Sequence, residues 1–274
     1  LPDGTDLDAK HQVTVIVTDH KKAPQQGKNV AVKGDLGQSA AGKTDKNGEL
    51  TVPEVEQTER HGVYIVGYTD GTFGPSRSMT RAEAAAIFAR LLAEKNGDTI
   101  STAANTKFAD IPAHAWYSGY VKYLSNNGIT YGKSKTIFAP NDAITRAEFT
   151  TMAVRFFDVY GDGDAEIMEQ FSGFNDVSSG YWAAEYIKYA ALHGWINGYG
   201  DGSFHADREI NRAEVVTIVN RLLGREADED YIADNLRKLN TFPDVTKRHW
   251  AYYAVMEAAN AHTAVLGESE SWSK

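Results

Sequence analysis

One tetrapeptide occurs three times along this chain. It reads Thr80-Arg81-Ala82-Glu83, then Thr145-Arg146-Ala147-Glu148, then Asn211-Arg212-Ala213-Glu214. The arginines stand 65 and 66 residues apart (146 − 81 and 212 − 146). A fixed period of that size means that one supersecondary unit has been copied. Such a unit cannot bury its apolar face alone, so the copies must share a core.

Each tetrapeptide opens an apolar stripe of helical period. The stripes are Ala84-Ala85-Ala86-Ile87-Phe88-Ala89-Arg90-Leu91-Leu92, Phe149-Thr150-Thr151-Met152-Ala153-Val154-Arg155-Phe156-Phe157 and Val215-Val216-Thr217-Ile218-Val219-Asn220-Arg221-Leu222-Leu223. Apolar groups at i, i+3, i+4 and i+7 mark half-buried helices. The second arginine of each copy (Arg90, Arg155, Arg221) falls near the helix C-terminus, where the dipole favours a cation. A second helix recurs with the same period, opening at Trp116, Trp182 and Trp250. Before each tryptophan lies Phe-x-Asp, as Phe108-Ala109-Asp110, Phe174-Asn175-Asp176 and Phe242-Pro243-Asp244. A glycine-rich turn precedes the arginine helix, as Gly67-Tyr68-Thr69-Asp70-Gly71-Thr72-Phe73 and Gly198-Tyr199-Gly200-Asp201-Gly202-Ser203-Phe204. The second copy departs there, reading Gly132-Lys133-Ser134-Lys135-Thr136-Ile137-Phe138. The first copy lacks a Trp helix before its turn, and the last Trp helix lacks an Arg helix after it. A closed three-fold arrangement, with residues 242–262 beside residues 61–93, buries every stripe where a linear stack would not.

Residues 11–60 have a different period. His11-Gln12-Val13-Thr14-Val15-Ile16-Val17-Thr18 alternates like a strand, and Asn29-Val30-Ala31-Val32-Lys33 is a second candidate. Asn47-Gly48 is a hairpin signal, with Glu49-Leu50-Thr51-Val52-Pro53 as the returning strand. The stretch from Gly42 to Pro53 resembles bacterial immunoglobulin-like surface modules, which implies a small all-β spacer.

In order and in period, Phe-x-Asp, His249-Trp250-Ala251, the Gly-Tyr-x-Asp-Gly turn and Thr-Arg-Ala-Glu resemble surface-layer homology domains over residues 61–262. The resemblance implies a mainly α, pseudo-three-fold helical spindle built from three repeats. It implies non-covalent attachment of a secreted protein to the bacterial wall through secondary cell-wall polysaccharide, often ketal-pyruvylated. It also implies ligand grooves between the prongs, with Arg81, Arg146 and Arg212 as main contacts. On this view residues 1–60 are the β module and residues 61–274 the three repeats. The latter divide into a half repeat (61–107), two repeats (108–170 and 171–235), a closing half repeat (236–262) and a tail (263–274).

The residues themselves leave alternatives open. Thr80 with Glu83, Thr145 with Glu148, and Asn211 with Glu214 are capping boxes, explained by helix starts alone. The arginine stands at the first helical position, where the dipole disfavours a cation by about 0.3–1 kcal/mol. Free N–H groups at a helix start attract anions, and a guanidinium beside them would clamp a carboxylate. The alternative is a structural pair with Asp110, Asp176 or Asp244. On the ligand reading, Arg81→Ala or Arg212→Ala weakens wall binding with little loss of fold. Asp70-Gly71 and Asp201-Gly202 are turn dipeptides that could also meet sugar hydroxyls. Trp116, Trp182 and Trp250 could be core residues or sugar platforms. Asp158, Asp162, Asp164 and Glu166 lack the order of a calcium loop.

A formal charge of −9, from 28 basic and 37 acidic side chains, argues against broad nucleic-acid binding. There is no cysteine, hence no disulfide and no thiolate metal site. No apolar run approaches the ~20 residues of a membrane span. Leu1-Pro2-Asp3-Gly4 reads like a cut inside a longer protein. No catalytic motif, cofactor signature or metal motif is legible. The expectation is a non-enzymatic module at the bacterial cell surface that binds wall polysaccharide. The alternative is a protein–protein or surface-lattice assembly module.

Overall fold

The computed structural model describes residues 14–16, 24, 26, 28–33, 39–51, 57–160, 171–266 and 270–273. They fall into two compact units: Gly62–Ala261, and Leu1–His61 together with His262–Lys274.

The first unit is helical. Its elements are α1 (Arg81–Asn96), α2 (Ser118–Asn126), α3 (Arg146–Tyr160), α4 (Ala184–Leu192), α5 (Arg212–Leu223), α6 (Glu229–Asn235) and α7 (Tyr252–Ala259). The helices α1, α3 and α5 each begin at the repeated arginine. Thr80 and Asn211 close full capping boxes on α1 and α5. Thr145 does the same on α3: its hydroxyl accepts from Glu148 N–H at 3.2 Å, and Glu148 Oε2 accepts from Thr145 N–H at 3.2 Å. The Trp helices begin two residues later than expected, because each tryptophan lies in the turn before α2, α4 or α7.

Each Arg helix packs on the Trp helix that follows it, giving the pairs α1–α2, α3–α4 and α5–α7. The pairs meet where α3 contacts both α1 and α5. There Phe88 packs against Phe149 and Phe156 at ring separations of 5.3 and 4.9 Å.

Closure is visible in three backbone bonds. Met79 N–H donates to Ile210 C=O at 2.9 Å, Ile144 N–H to Met79 C=O at 2.9 Å, and Ile210 N–H to Ile144 C=O at 3.0 Å. This ring exists only if the three copies close on themselves. The closing half repeat divides its contacts. Its Asp244 holds the first turn, through Phe73 N–H at 2.9 Å and Gly74 N–H at 2.7 Å. Its helix packs on α5 rather than beside α1, following the rule of the other two pairs. Asn220 fixes that join by donating to Ala254 C=O at 3.0 Å and pairing with the buried Tyr64 hydroxyl.

The second unit holds strands. β1 (Thr14–Ile16) pairs with β4 (Glu49–Thr51), and β2 (Asn29–Lys33) pairs with β3 (Ser39–Lys43), all antiparallel. The Asn47-Gly48 turn therefore does not close a hairpin. It carries the chain from one strand pair to the other, with Asp45 Oδ1 accepting from Asn47 N–H at 2.7 Å and Glu49 N–H at 3.0 Å. Among the described residues these pairs do not amount to an immunoglobulin-like sandwich. β5 (Gln57–His61), β6 (His262–Leu266) and β7 (Ser271–Ser273) form a three-stranded antiparallel sheet with β6 in the middle. Residues 263–274, expected as a tail, thus hold most of β6 and all of β7, and the compact helical unit ends at Ala261. The buried Ala264 and Trp272, directly opposed in register, anchor that sheet. Of the acidic cluster, Asp158 ends up on α3; Asp162, Asp164 and Glu166 lie outside the described residues.

Candidate functional site

Phe-x-Asp and the glycine-rich turn together form one device. Phe242, Phe108 and Phe174 pack against the turn phenylalanines Phe73, Phe138 and Phe204 at 5.3, 5.5 and 5.2 Å. Each ring also covers a glycine. A Cβ on Gly67, Gly132 or Gly198 would lie 2.4, 2.5 or 2.5 Å from the covering ring, so only hydrogen fits. The aspartate of each motif then accepts two consecutive turn N–H groups. Asp110 takes Phe138 and Ala139, Asp176 takes Phe204 and His205, and Asp244 takes Phe73 and Gly74. Partial burial alone would raise the Asp176 and Asp244 carboxyls, but these N–H bonds outweigh it and hold both below the usual range. These aspartates are turn clamps and do not pair with the repeated arginine.

The fixed turn presents its carbonyls to the next helix start. Arg81 Nε donates to Phe138 C=O at 2.7 Å, Arg146 Nε to Phe204 C=O at 2.9 Å, and Arg212 Nε to Phe73 C=O at 2.8 Å. Arg146 and Arg212 also donate Nη2 to Asn197 C=O at 3.2 Å and Val66 C=O at 2.7 Å. The capping glutamate of the following copy supplies the counter-charge. Arg81 meets Glu148 at 3.2 Å, Arg146 meets Glu214 at 3.4 Å, and Glu83 adds its field to Arg212. With 4%, 5% and 4% exposure, the three arginines are buried. Burial pulls the Arg146 and Arg212 guanidinium pKa down, and nearby Tyr and Glu groups oppose it; arginine still remains cationic.

The helix starts themselves offer little to an anion. Arg81 and Ala82 N–H donate to Asp142 and Pro140 C=O, Arg146 and Ala147 to Arg208 and Ala206, and Arg212 and Ala213 to Arg77 and Pro75. The third N–H of each helix goes to its capping side chain. The expected free N–H groups are thus consumed, two by the neighbouring copy and one by the helix's own cap, and side chains must carry any attraction.

Three grooves run between the copies. The first, about 90 Å³, is lined by Arg81, Glu148, Arg155, Tyr131, Thr151 and Trp182 among others. The second, about 190 Å³, has Arg146, Glu214, Arg221, Tyr199, Thr217 and Trp250. The third, about 230 Å³, has Arg212, Glu83, Arg90, Tyr68, Ala86 and Trp116. Each groove combines a buried arginine, a second arginine, one glutamate and one indole. The tryptophans are 58%, 65% and 55% exposed, so the core alternative is excluded for all three. The second arginines, which sequence reasoning explained by the helix dipole alone, are the missed groove residues. Their recurrence nine positions after the first (90 − 81, 155 − 146, 221 − 212) was the available signal.

The turn dipeptides play another part. Asp70 accepts from Thr72 N–H at 2.9 Å and its hydroxyl at 2.6 Å, and Asp201 from Ser203 at 3.0 and 2.5 Å. Gly71 and Gly202 take φ of 82° and 81° to turn the chain. None of the four lines the three grooves. In the second copy, Lys135 stands at the aspartate position. Ser134, one residue earlier, holds the turn through Thr136 and Ile137 N–H at 3.3 and 3.1 Å. Lys133 stands where Tyr68 and Tyr199 flank the buried arginine, 3.8 Å from Glu148 and 3.4 Å from Asp142. Beside Arg81 a lysine thus replaces the tyrosine ring, while Tyr131, 4.8 Å from the Arg155 guanidinium, gives the first groove its aromatic side.

The S-layer homology domain family matches residues 51–85, 107–150 and 173–216. Cell surface glycoprotein 1 of Acetivibrio thermocellus is 34% identical over 218 residues, covering 77% of this chain and 9% of that protein. The cellulosome-anchoring protein of the same organism is 30% identical over 233 residues, covering 84% of this chain and 49% of that protein. The surface-layer 125 kDa protein of Lysinibacillus sphaericus is 32% identical over 163 residues, covering 58% of this chain and 13% of that protein. The chain thus spans about half the length of the second relative and 9% and 13% of the other two. With the repeated helix starts, the closed ring and these matches together, the chain carries three S-layer homology domains.

Proposed function

We propose that the helical unit is a non-catalytic anchor that holds a larger secreted protein on the bacterial wall. It grips an acidic secondary cell-wall polysaccharide in the three grooves. The observation that carries this is the groove lining: two arginines against one glutamate in every copy, in a chain of net charge −9. A local cation surplus beside an exposed indole suits a sugar that bears a carboxylate. The guanidinium meets the carboxylate, and the indole covers a pyranose face. A ketal-pyruvylated sugar has that chemistry. The names of the relatives speak of the cell surface, of anchoring and of surface layers, in line with this role.

The grooves are not equivalent on this view. The second and third have Tyr199 or Tyr68 against the buried arginine, whereas the first, smaller groove has Tyr131 against Arg155 and the Thr151 hydroxyl. Co-sedimentation with purified walls, before and after chemical removal of the non-peptidoglycan polymer, tests the proposal. Binding should vanish with the polymer. Equal retention on bare peptidoglycan would sink it.

A further inference from the structure

Away from the grooves, three potential metal ligands converge in the β5–β6–β7 sheet. His61 is the last residue of β5, His262 the first of β6, and the two are paired in register. Glu270 stands one residue before β7. Its Oε1 lies 3.2 Å from His61 Nδ1 and 3.1 Å from His262 Nε2. The three side chains are only 3–4% exposed. Their ligand atoms lie within 4.8 Å of one another.

We propose that His61, His262 and Glu270 bind one divalent ion of the zinc class. The separations of 3.1 and 3.2 Å are near the roughly 3.3 Å edge of a tetrahedron whose ligands sit ~2.0–2.1 Å from the ion. The imidazole planes are inclined at 78° with centroids 5.1 Å apart, so their nitrogens approach the shared point from different directions. The donor set of two neutral imidazoles and one carboxylate suits zinc. Protons alone serve this cluster poorly. Three nitrogens, including Trp272 Nε1 at 3.1 Å, aim at one carboxylate oxygen. Two buried imidazolium ions side by side would repel. A divalent ion replaces both histidine protons and balances the carboxylate. Surrounding contacts orient the ligands as metal sites require. The Trp272 ring stacks on His262 at 3.8 Å and 14°, and Glu59 lies 3.8 Å from the other nitrogen of His61.

The consequence is mechanical. β5 and β7 are strands of five and three residues. An ion bound here ties both to β6, and two of its ligands flank residues 62–261 in sequence. The test uses the full chain stripped with a chelator. Calorimetric titration with zinc chloride should show one saturable equivalent and a raised Tm that chelator reverses. Cobalt(II) at the same site should give the visible ligand-field absorption of a four-coordinate ion. His262→Gln and Glu270→Gln should each weaken binding more than about tenfold, while His205→Gln keeps it. Absence of a saturable equivalent in the unsubstituted chain overturns the proposal, as does full-strength binding by both variants. Should a variant fail to fold, the stoichiometry and cobalt spectrum of the unsubstituted chain decide alone.

Discussion

Arg212 shows how one side chain serves structure and site together. Its Nε and Nη2 hold the carbonyls of Phe73 and Val66, and its guanidinium lies 4.7 Å from the centroids of both Tyr68 and Phe73. Arg212→Ala would leave one buried and one part-buried carbonyl without their donors. We expect a loss of about 2–4 kcal/mol, seen as a lower Tm. This revises the expectation that the arginine can be removed with little effect on the fold. The exposed indoles separate the two roles. Trp250→Ala should leave stability within about 0.5 kcal/mol while weakening glycan binding; a melting curve and a binding isotherm on the same sample check both. Acid should act through the turn clamps. The folded carboxyls of Asp176 and Asp244 lie below their ordinary 3.8. Their contribution is therefore complete above the unfolded pKa and is lost as pH falls through the folded one. Tm should drop below about pH 4, and Asp244→Asn should flatten that drop.

At the scale of elements, the turns are the most constrained pieces. The residue after each turn phenylalanine has φ near 60°: Gly74 at 68°, Ala139 at 58° and His205 at 55°. Left-handed backbone costs a non-glycine residue about 1–2 kcal/mol, partly offset by the entropy glycine loses. Ala139→Gly should therefore stabilise the unit by about 0.5–1 kcal/mol, measured by denaturant melts. The Arg helices were legible in the sequence because cap, stripe and period agreed. The start of the Trp helices was not, because an aromatic residue at a turn and one on a helix face read alike. The Asn47-Gly48 turn misled for a related reason: local turn chemistry fixes the bend but not which strands pair. The role of Phe-x-Asp was invisible because its hydrogen-bond and ring partners lie 28–30 residues later in two copies (Asp110 to Phe138 and Ala139, Asp176 to Phe204 and His205, Phe108 to Phe138, Phe174 to Phe204) and about 170 residues earlier in the third.

For the whole molecule, the half-unit offset between the two helix types already implied closure. The Met79–Ile210–Ile144 ring and the Asp244 clamp realise it, although α7 pairs with α5. A closed ring should melt as one body. Truncation after Asn240 removes both the clamp on the first turn and the helix covering α5, and should abolish the single cooperative transition seen by calorimetry. Closure also creates the grooves, since each takes its buried arginine from one copy and its glutamate and second arginine from the next. No helix among the described residues is long and apolar enough to cross a membrane. In this account the grooves do the attaching, on the strength of their lining. The most direct test is calorimetric titration of the chain with a ketal-pyruvylated disaccharide and with the same disaccharide after removal of the pyruvyl group. The account predicts saturable binding of the first and little binding of the second. Equal affinity for both, or for neither, would contradict it.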